Sequence, residues 1–524
     1  MNESLETASA LHIKPRRVSE PRDLVLVVLL AVFAVFLTDA FFFTGLNLGV
    51  SLGLIGVCAC FVWYLWKARR AVTAYAVFCF LCLPALAVSL FCSDDSLLKF
   101  LACTAILILA AVGALELLNL RREQTGTCRS VLDVGWVLFS APFCELPESV
   151  WAVFHRNGAG GAPKTRRIGA ALIGVGCAIP ALFVVMPLLT SSDAAFEGLV
   201  RRLTIRDLPI HVIALIVGVG LGLLLFSQLF YLPQAGRKGT RSASAFRGVE
   251  PLIVGSFLTV LSLVYLAYLL SQGAYFFEGF RGLLPAGYTP AMYARRGFFE
   301  MCTICVMNLA FFFGAASVCR RREGRLPAFI RLLMCFLCLF SLTLVAISAS
   351  KMVLYIRSFG MTRLRILTSA FMLVLAVGFI CLILRLFRSG VPYLKVTLIA
   401  AAAVLLVLSF VNVDRIVASY NTAAYRSGAL SGIDVKTISE LSDAAVPSLL
   451  DLADDADPEV ARLARAELVA RADAFFEVGP DGRPVPVSAD WRGYNLVSAR
   501  AKALLLQNWD RIQTWRTAAE SREG

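Results

Sequence analysis

The sequence predicts an all-α fold: a polytopic transmembrane helix bundle of about eleven spans, followed by a small helical C-terminal extramembrane domain. Composition is the first observation behind this reading. Of 524 residues, 58% are hydrophobic and 16% charged, and mean hydropathy is +0.75. A soluble chain of that length needs far more polar surface. The second observation is patterning: apolar residues fall in runs of about 20, enough for a helix to cross ~30 Å of hydrocarbon, without the period-two alternation of a membrane strand. The third is charge. Residues 422–524 hold 12 Lys/Arg and 16 Asp/Glu, a net of −4, so the overall +14 leaves +18 on the first 421. Cytoplasmic loops facing anionic lipid account for a basic membrane part. No basic stretch interleaves with aromatics on a soluble domain, so nucleic acid is excluded as a partner.

In order along the chain, residues 1–23 form a short basic segment on the cytoplasmic side. No A-x-A-like cleavage site follows the first apolar run, and Arg16–Arg17 lack the rest of a twin-arginine signal, so the first helix reads as an uncleaved signal anchor. The bundle, residues 24–421, carries apolar runs at 24–43, 46–66, 71–92, 100–120, 168–190, 210–232, 251–271, 297–318, 330–350, 366–386 and 396–413. With the N-terminus inside, the inner segments through residue 167 hold 14 Lys/Arg, and the outer loops of that half hold one, Lys99. The carboxyl half is less polarised; alternation carried through it places the tail outside the cytoplasm. Val131–Trp151 contains Asp133, Glu145, Glu148 and two prolines and reads as interfacial or re-entrant. Gly218, Gly220 and Gly222 include a GxxxG pair that admits a neighbouring backbone. Pro180 and Pro187 should kink the helix before it.

The tail, residues 422–524, reads as soluble and helical. Ser442–Leu468 has apolar residues at helical spacing, with Asp457–Pro458–Glu459 as a helix start. It resembles a single HEAT-type helical repeat, which cannot bury a core alone and must pack on the next helix or on the membrane part. Gly479–Pro486 is a turn-rich break, and a last helix runs from near Asp490 to Arg516. Such helical hairpins bind partners or brace neighbours, so other membrane or envelope proteins are the expected partners of the tail.

Catalytic chemistry finds little support. All 15 cysteines lie between Cys58 and Cys381, three pairs of them with CxxC spacing: Cys79/Cys82, Cys302/Cys305 and Cys335/Cys338. On a helix such pairs share a face and could ligate a metal, yet small apolar residues packing between helices explain them equally. His12, His155 and His211 are scattered, without HExxH, a Ser/His/Asp or Cys/His arrangement, or a Walker A motif. No catalytic residue, metal or cofactor is expected.

One constellation stands out. Three stretches at outer helix junctions concentrate charge where the positive-inside rule predicts few cations. The first carries Arg295, Arg296 and Glu300. The second, joining two spans, carries Lys351, Tyr355, Arg357, Arg363 and Arg365. The third carries Asn412, Asp414, Arg415 and Asn421. Guanidinium forks gathered there would bind an anionic lipid or a small anion. Glu300 and Asp414 could instead neutralise the arginines, the arginines could snorkel, or the acidic tail could dock on this basic rim.

These segments, YARRGFFE, SASKMVLYIRSFGMTRLR and NVDRIVASYN, with DWRGYNLVSARAKALL in the tail, resemble the signature segments of domain of unknown function 4173, a family of bacterial polytopic membrane proteins. The resemblance implies a multi-pass protein of the bacterial plasma membrane and carries over no catalytic residue. The expected function is therefore a non-enzymatic scaffold or signalling subunit of the cell envelope. The alternative is a transporter or lipid-handling protein with an anionic substrate at the outer pocket, although charges inside the spans are few. A lesser alternative, a membrane glycosyltransferase using Asp39, has too short a loop after that residue.

Overall fold

The computed structural model describes residues 20–120, 133–144, 146, 210–235, 249–272, 290–320, 326–388, 390–487 and 490–523, with backbone alone at 144, 234–235, 272, 290–297 and 519–523. The membrane-length helices are α1 (Pro21–Thr44), α2 (Leu48–Lys67), α3 (Ala74–Cys92), α4 (Ser96–Leu117), α6 (Ile210–Ala235), α7 (Pro251–Gln272), α8 (Pro290–Val318), α9 (Ala328–Phe359), α10 (Arg363–Phe387) and α11 (Tyr393–Val411). A π-helical turn, Trp136–Ser140, leads into the short α5 (Ala141–Cys144). Among the described residues, ten helices are long and apolar enough to cross a membrane, and the fold is an all-α polytopic bundle. The run at 168–190, with Pro180 and Pro187, lies outside the described residues, as does part of Val131–Trp151.

The chain divides into two compact units, one of residues 1–87, 107–121 and 132–239, the other of 88–106, 122–131 and 240–524. In the first, α1 is the centre. Thr38 Oγ1 donates to the Ala214 carbonyl at 2.8 Å. A Cβ on Gly218 would lie 2.5 Å from Val35 Cα, and one on Gly222 3.0 Å from Ala31 Cα, whereas Gly220 faces open space. The GxxxG pair thus works through Gly218 and Gly222, which let α6 lie backbone to backbone on α1. Asp39, near the end of α1, meets His211 Nδ1 at 2.7 Å. At the opposite end, Tyr64 donates to Asp23 Oδ1 at 2.9 Å, and the Arg70 and Ala71 amides bond the Leu117 carbonyl. So α4 finishes where α1 starts, and α6 starts where α1 finishes: the chain changes sides between Leu117 and Ile210. Around α5, Gln228 Nε2 donates to the Val137 carbonyl at 2.9 Å, beside the last turns of α6.

In the second unit, Tyr265, Asn308 and Ser341 form a relay inside the spans: Tyr265 Oη donates to Asn308 Oδ1 at 2.8 Å, and Asn308 Nδ2 to Ser341 Oγ at 2.9 Å. These bonds tie α7, α8 and α9 where apolar contact alone gives little specificity. Helix α9 continues well past the end of its apolar run. Lys351, Tyr355 and Arg357 therefore ride on a helix rather than on the connecting segment expected from hydropathy. Only Gly360–Thr362 link α9 to α10. Charge ends a hydrophobic run without ending a helix; the stop comes at Gly360, whose φ of +75° an L side chain resists.

Asn412 breaks the chain at φ +64°, a left-handed conformation asparagine tolerates. It turns α11 into the amphipathic α12 (Val413–Arg426). Beyond it come α13 (Val435–Ser439), α14 (Val446–Leu452), α15 (Pro458–Phe475), the hairpin β1 (Phe476–Val478) and β2 (Pro484–Pro486), α16 (Leu496–Gln507) and α17 (Trp509–Glu523). One apolar core runs through Val446, Leu449, Leu468, Leu505 and Ile512 of the tail and Leu98, Val413, Val417 and Ala418 at the helix ends. The tail helices bury their apolar faces on each other and on the ends of the membrane helices of this unit.

Candidate functional site

Three turns of the second unit meet at one end of the bundle, and each has a local cause. Asp95 caps α4: its Oδ1 accepts from the Leu97 amide at 2.8 Å and the Leu98 amide at 3.1 Å. Thr362 caps α10 through the Arg365 amide. Between α9 and α10, Asn421 clamps the turn, accepting from the Met361 amide at 2.6 Å and donating to its carbonyl at 2.9 Å. A Cβ on Gly360 would lie 2.5 Å from Asn421 Oδ1, so glycine is required there for space as well as for φ.

At the centre lies an ion pair. Arg363 donates through Nε and Nη2 to the two oxygens of Asp414, which is 1% exposed. The Ser442 amide donates to Asp414 Oδ2 at 2.8 Å, and Arg363 Nη2 reaches the Glu440 carbonyl at 3.2 Å. Burial alone would push the Asp414 carboxyl up, but bonds from Arg363 and Ser442 outweigh it and hold it below the usual range. From the tail, Arg471 donates to the carbonyls of Ser439, Leu441 and Ser442 at 2.8–2.9 Å. Segment 439–442 is thereby gripped on both sides. Asn495 Nδ2 adds a buried bond to the Ser93 carbonyl at 2.9 Å.

A cleft of about 490 Å³ opens at this joint, lined by Asp94, Asp95, Ser96, Leu97, Arg363, Leu364, Glu440, Leu441 and Ser442. Asp94 stands 3.6 Å from Lys99 Nζ, and burial raises its carboxyl despite that cation.

The expected constellation is distributed along this end. Asp414, Arg363 and Asn421 form the joint. Arg365 stacks on Tyr355 at 3.7 Å and donates to the Phe359 and Gly360 carbonyls, closing the end of α9. Glu300 lies within electrostatic reach of Lys351. Arg357 and Arg415 are exposed, and Asn412 serves the chain break. The Arg295 and Arg296 side chains lie outside those described. Sequence reasoning missed Asp94, Asp95, Glu440, Ser442, Arg471 and Asn495. A signal existed for two of them: adjacent acids directly before an apolar run mark a helix N-terminus. For the carbonyl contacts of Arg471 there was none.

Taken together, helices of membrane length and a helical domain seated on their ends define a multi-pass integral membrane protein. A family model described as Domain of unknown function (DUF4153) matches residues 76–452, and the chain belongs to that family. The match is to a domain of unknown function, as the motifs suggested, and carries the number 4153; it does not confirm the number 4173. No curated protein and no solved structure matches the chain.

Proposed function

We propose that the protein is a non-enzymatic scaffold or signalling subunit of the cell envelope, which holds its helical tail on the outer helix ends as a platform for other envelope proteins. The observation that carries this reading is the double grip on segment 439–442. The residues expected to form an open anion pocket are partly engaged within the protein: Arg363 on Asp414 and the Glu440 carbonyl, Asn421 on Met361, Arg365 on the α9 carbonyls. Charge asymmetry of the amino half and the change of sides between Leu117 and Ile210 support a cytoplasmic N-terminus and an extracytoplasmic tail. A photo-reactive amino acid placed in intact cells at exposed Val485 or Trp491 tests the platform. Reproducible adducts to a defined envelope protein are expected; their absence from every exposed tail position overturns it. Exposed Arg357 and Arg415 favour a second reading, contact with an anionic lipid. In that case Arg357→Gln with Arg415→Gln lowers binding of anionic vesicles without changing the melt.

A further inference from the structure

The tail is acidic as a whole, with a net of −4 over residues 422–524, yet one of its stretches is cationic: residues 490–502 hold Arg492, Arg500 and Lys502 against Asp490. The same stretch exposes an indole and a phenol, Trp491 at 60% and Tyr494 at 45%. Both stand on a tightly built turn. Asp490 Oδ1 accepts from the Arg492 amide at 3.0 Å and its Oδ2 from Arg492 Nε at 2.7 Å. The Gly493 and Tyr494 amides bond the carbonyls of Asp490 and Trp491. The two rings are thus presented by an ordered turn, and the Arg492 charge is balanced within it.

A separate observation fixes the depth of this turn. Asn495, next to Tyr494, caps α16 and donates through Nδ2 to the Ser93 carbonyl at 2.9 Å. Ser93 directly follows α3, whose apolar run ends at Cys92. Exposed Arg500, in the second turn of α16, lies within electrostatic reach of the Cys92 thiol. Just beyond Ser93, Leu97 and Phe100 of α4 are 43% and 63% exposed, so the apolar surface that faces lipid begins there. A 3-10 turn advances about 2 Å per residue, which keeps Trp491 within about 10 Å of Asn495.

The chemistry of the occupant follows from that level. Where hydrocarbon gives way to headgroups, tryptophan and tyrosine set an apolar body against the acyl boundary and a polar edge toward water. A guanidinium at the same level meets lipid phosphate with a matching fork. Continuity with the lipid-facing surface of α4, together with the local positive charge, favours lipid over a protein partner here.

We propose that Trp491, Tyr494 and Arg500 form a footing on the phospholipid headgroup layer beside the end of α3, with the two rings at the acyl boundary and Arg500 on lipid phosphate. This footing concerns the lipid around the tail and is independent of any protein that the tail holds.

The test uses the full chain reconstituted in vesicles of phosphatidylglycerol and phosphatidylethanolamine that carry a nitroxide either on the headgroup or at the acyl end. The chain has seven tryptophans, so the fluorescence of Trp491→Phe is subtracted from that of the native chain to isolate Trp491. Phenylalanine at so exposed a position should leave the melt unchanged. The headgroup nitroxide is expected to quench the Trp491 signal severalfold more than the acyl-end nitroxide, and aqueous acrylamide to quench it weakly. Tyr494→Ser combined with Arg500→Gln should lower the headgroup quenching and raise the acrylamide quenching, with the melt again unchanged. A Trp491 signal open to acrylamide and untouched by either nitroxide overturns the proposal, as does headgroup quenching undiminished in the double variant. A photo-reactive residue at position 491 that captures a defined envelope protein in cells, without headgroup quenching in vesicles, assigns the patch to a protein partner and overturns the footing as well.

Discussion

Replacing Arg363 by methionine should loosen the tail from the membrane helices. Asp414 would keep a single donor, the Ser442 amide, inside an environment that leaves it 1% exposed. Breaking a buried pair from one side costs about 3–5 kcal/mol. The Arg363 side chain is 35% exposed, so water screens the pair and about 2–3 kcal/mol is the better figure. Asp414→Asn, which keeps the Ser442 bond and removes the charge, should cost about 1–2 kcal/mol. The double variant Arg363→Met/Asp414→Leu removes both charges together and should recover about 2 kcal/mol of the summed losses. Two assays read this: thermal melting of the detergent-solubilised chain, and limited proteolysis of the exposed link between α12 and α13. Faster cleavage at residues 427–434 is expected in the single variants and near-native cleavage in the double one. Unchanged melting and proteolysis in Arg363→Met, or strict additivity in the double variant, would refute a joint held by this pair.

Three further expectations follow from the same geometry. Gly360→Ala combines a disfavoured backbone conformation with a clash on Asn421, and should lower stability by about 2 kcal/mol, read as a drop in melting temperature. Acid should release the tail through Asp414. Its carboxyl is depressed in the fold, so its stabilisation is present above the unfolded value and lost as pH falls through the folded one. Proteolysis of the 427–434 link should therefore accelerate below the ordinary carboxylate range, and that acid dependence should be reduced in Asp414→Asn. Gly218→Ile should disrupt the α1–α6 contact and cost more than about 2 kcal/mol by overpacking, while Gly220→Ile, facing open space, should be silent in the same melt.

Much of the fold was legible because a bilayer imposes a length and a composition that the sequence must meet. The runs at 210–232 and 251–271 begin at the first residues of α6 and α7. Legibility failed where hydropathy and backbone geometry part company. The α9 run ends near residue 350 by apolarity, yet the helix continues to Phe359 because Lys351 and Arg357 are good helix formers and only Gly360 breaks it. The site was half legible. Charge at the three junctions pointed to Asp414 and Arg363, but counting outer cations left the acids of the α3–α4 turn unweighed. Contacts such as Arg471 with three carbonyls, or Asn495 with Ser93, depend on tertiary approach between segments far apart in the chain. No local spacing encodes them.

The family match sharpens which part of the joint is self-sufficient. It begins inside α3 and ends at Leu452, so it includes Asp95, Arg363, Asp414, Asn421 and Ser442 but stops before Arg471 and Asn495. The matched region alone therefore contains the ion pair, the turn clamp and the segment they hold, whereas the opposing grip comes from helices beyond it. Arg471 is 10% exposed and satisfies three carbonyls, an arrangement that stiffens a segment already tethered by the Ser442 amide. The two grips thus differ in kind. Asp414 and Arg363 attach the chain after α12 to the membrane helices; Arg471 attaches α15 to that chain. Loss of the first should free the whole tail, and loss of the second only its outer helices.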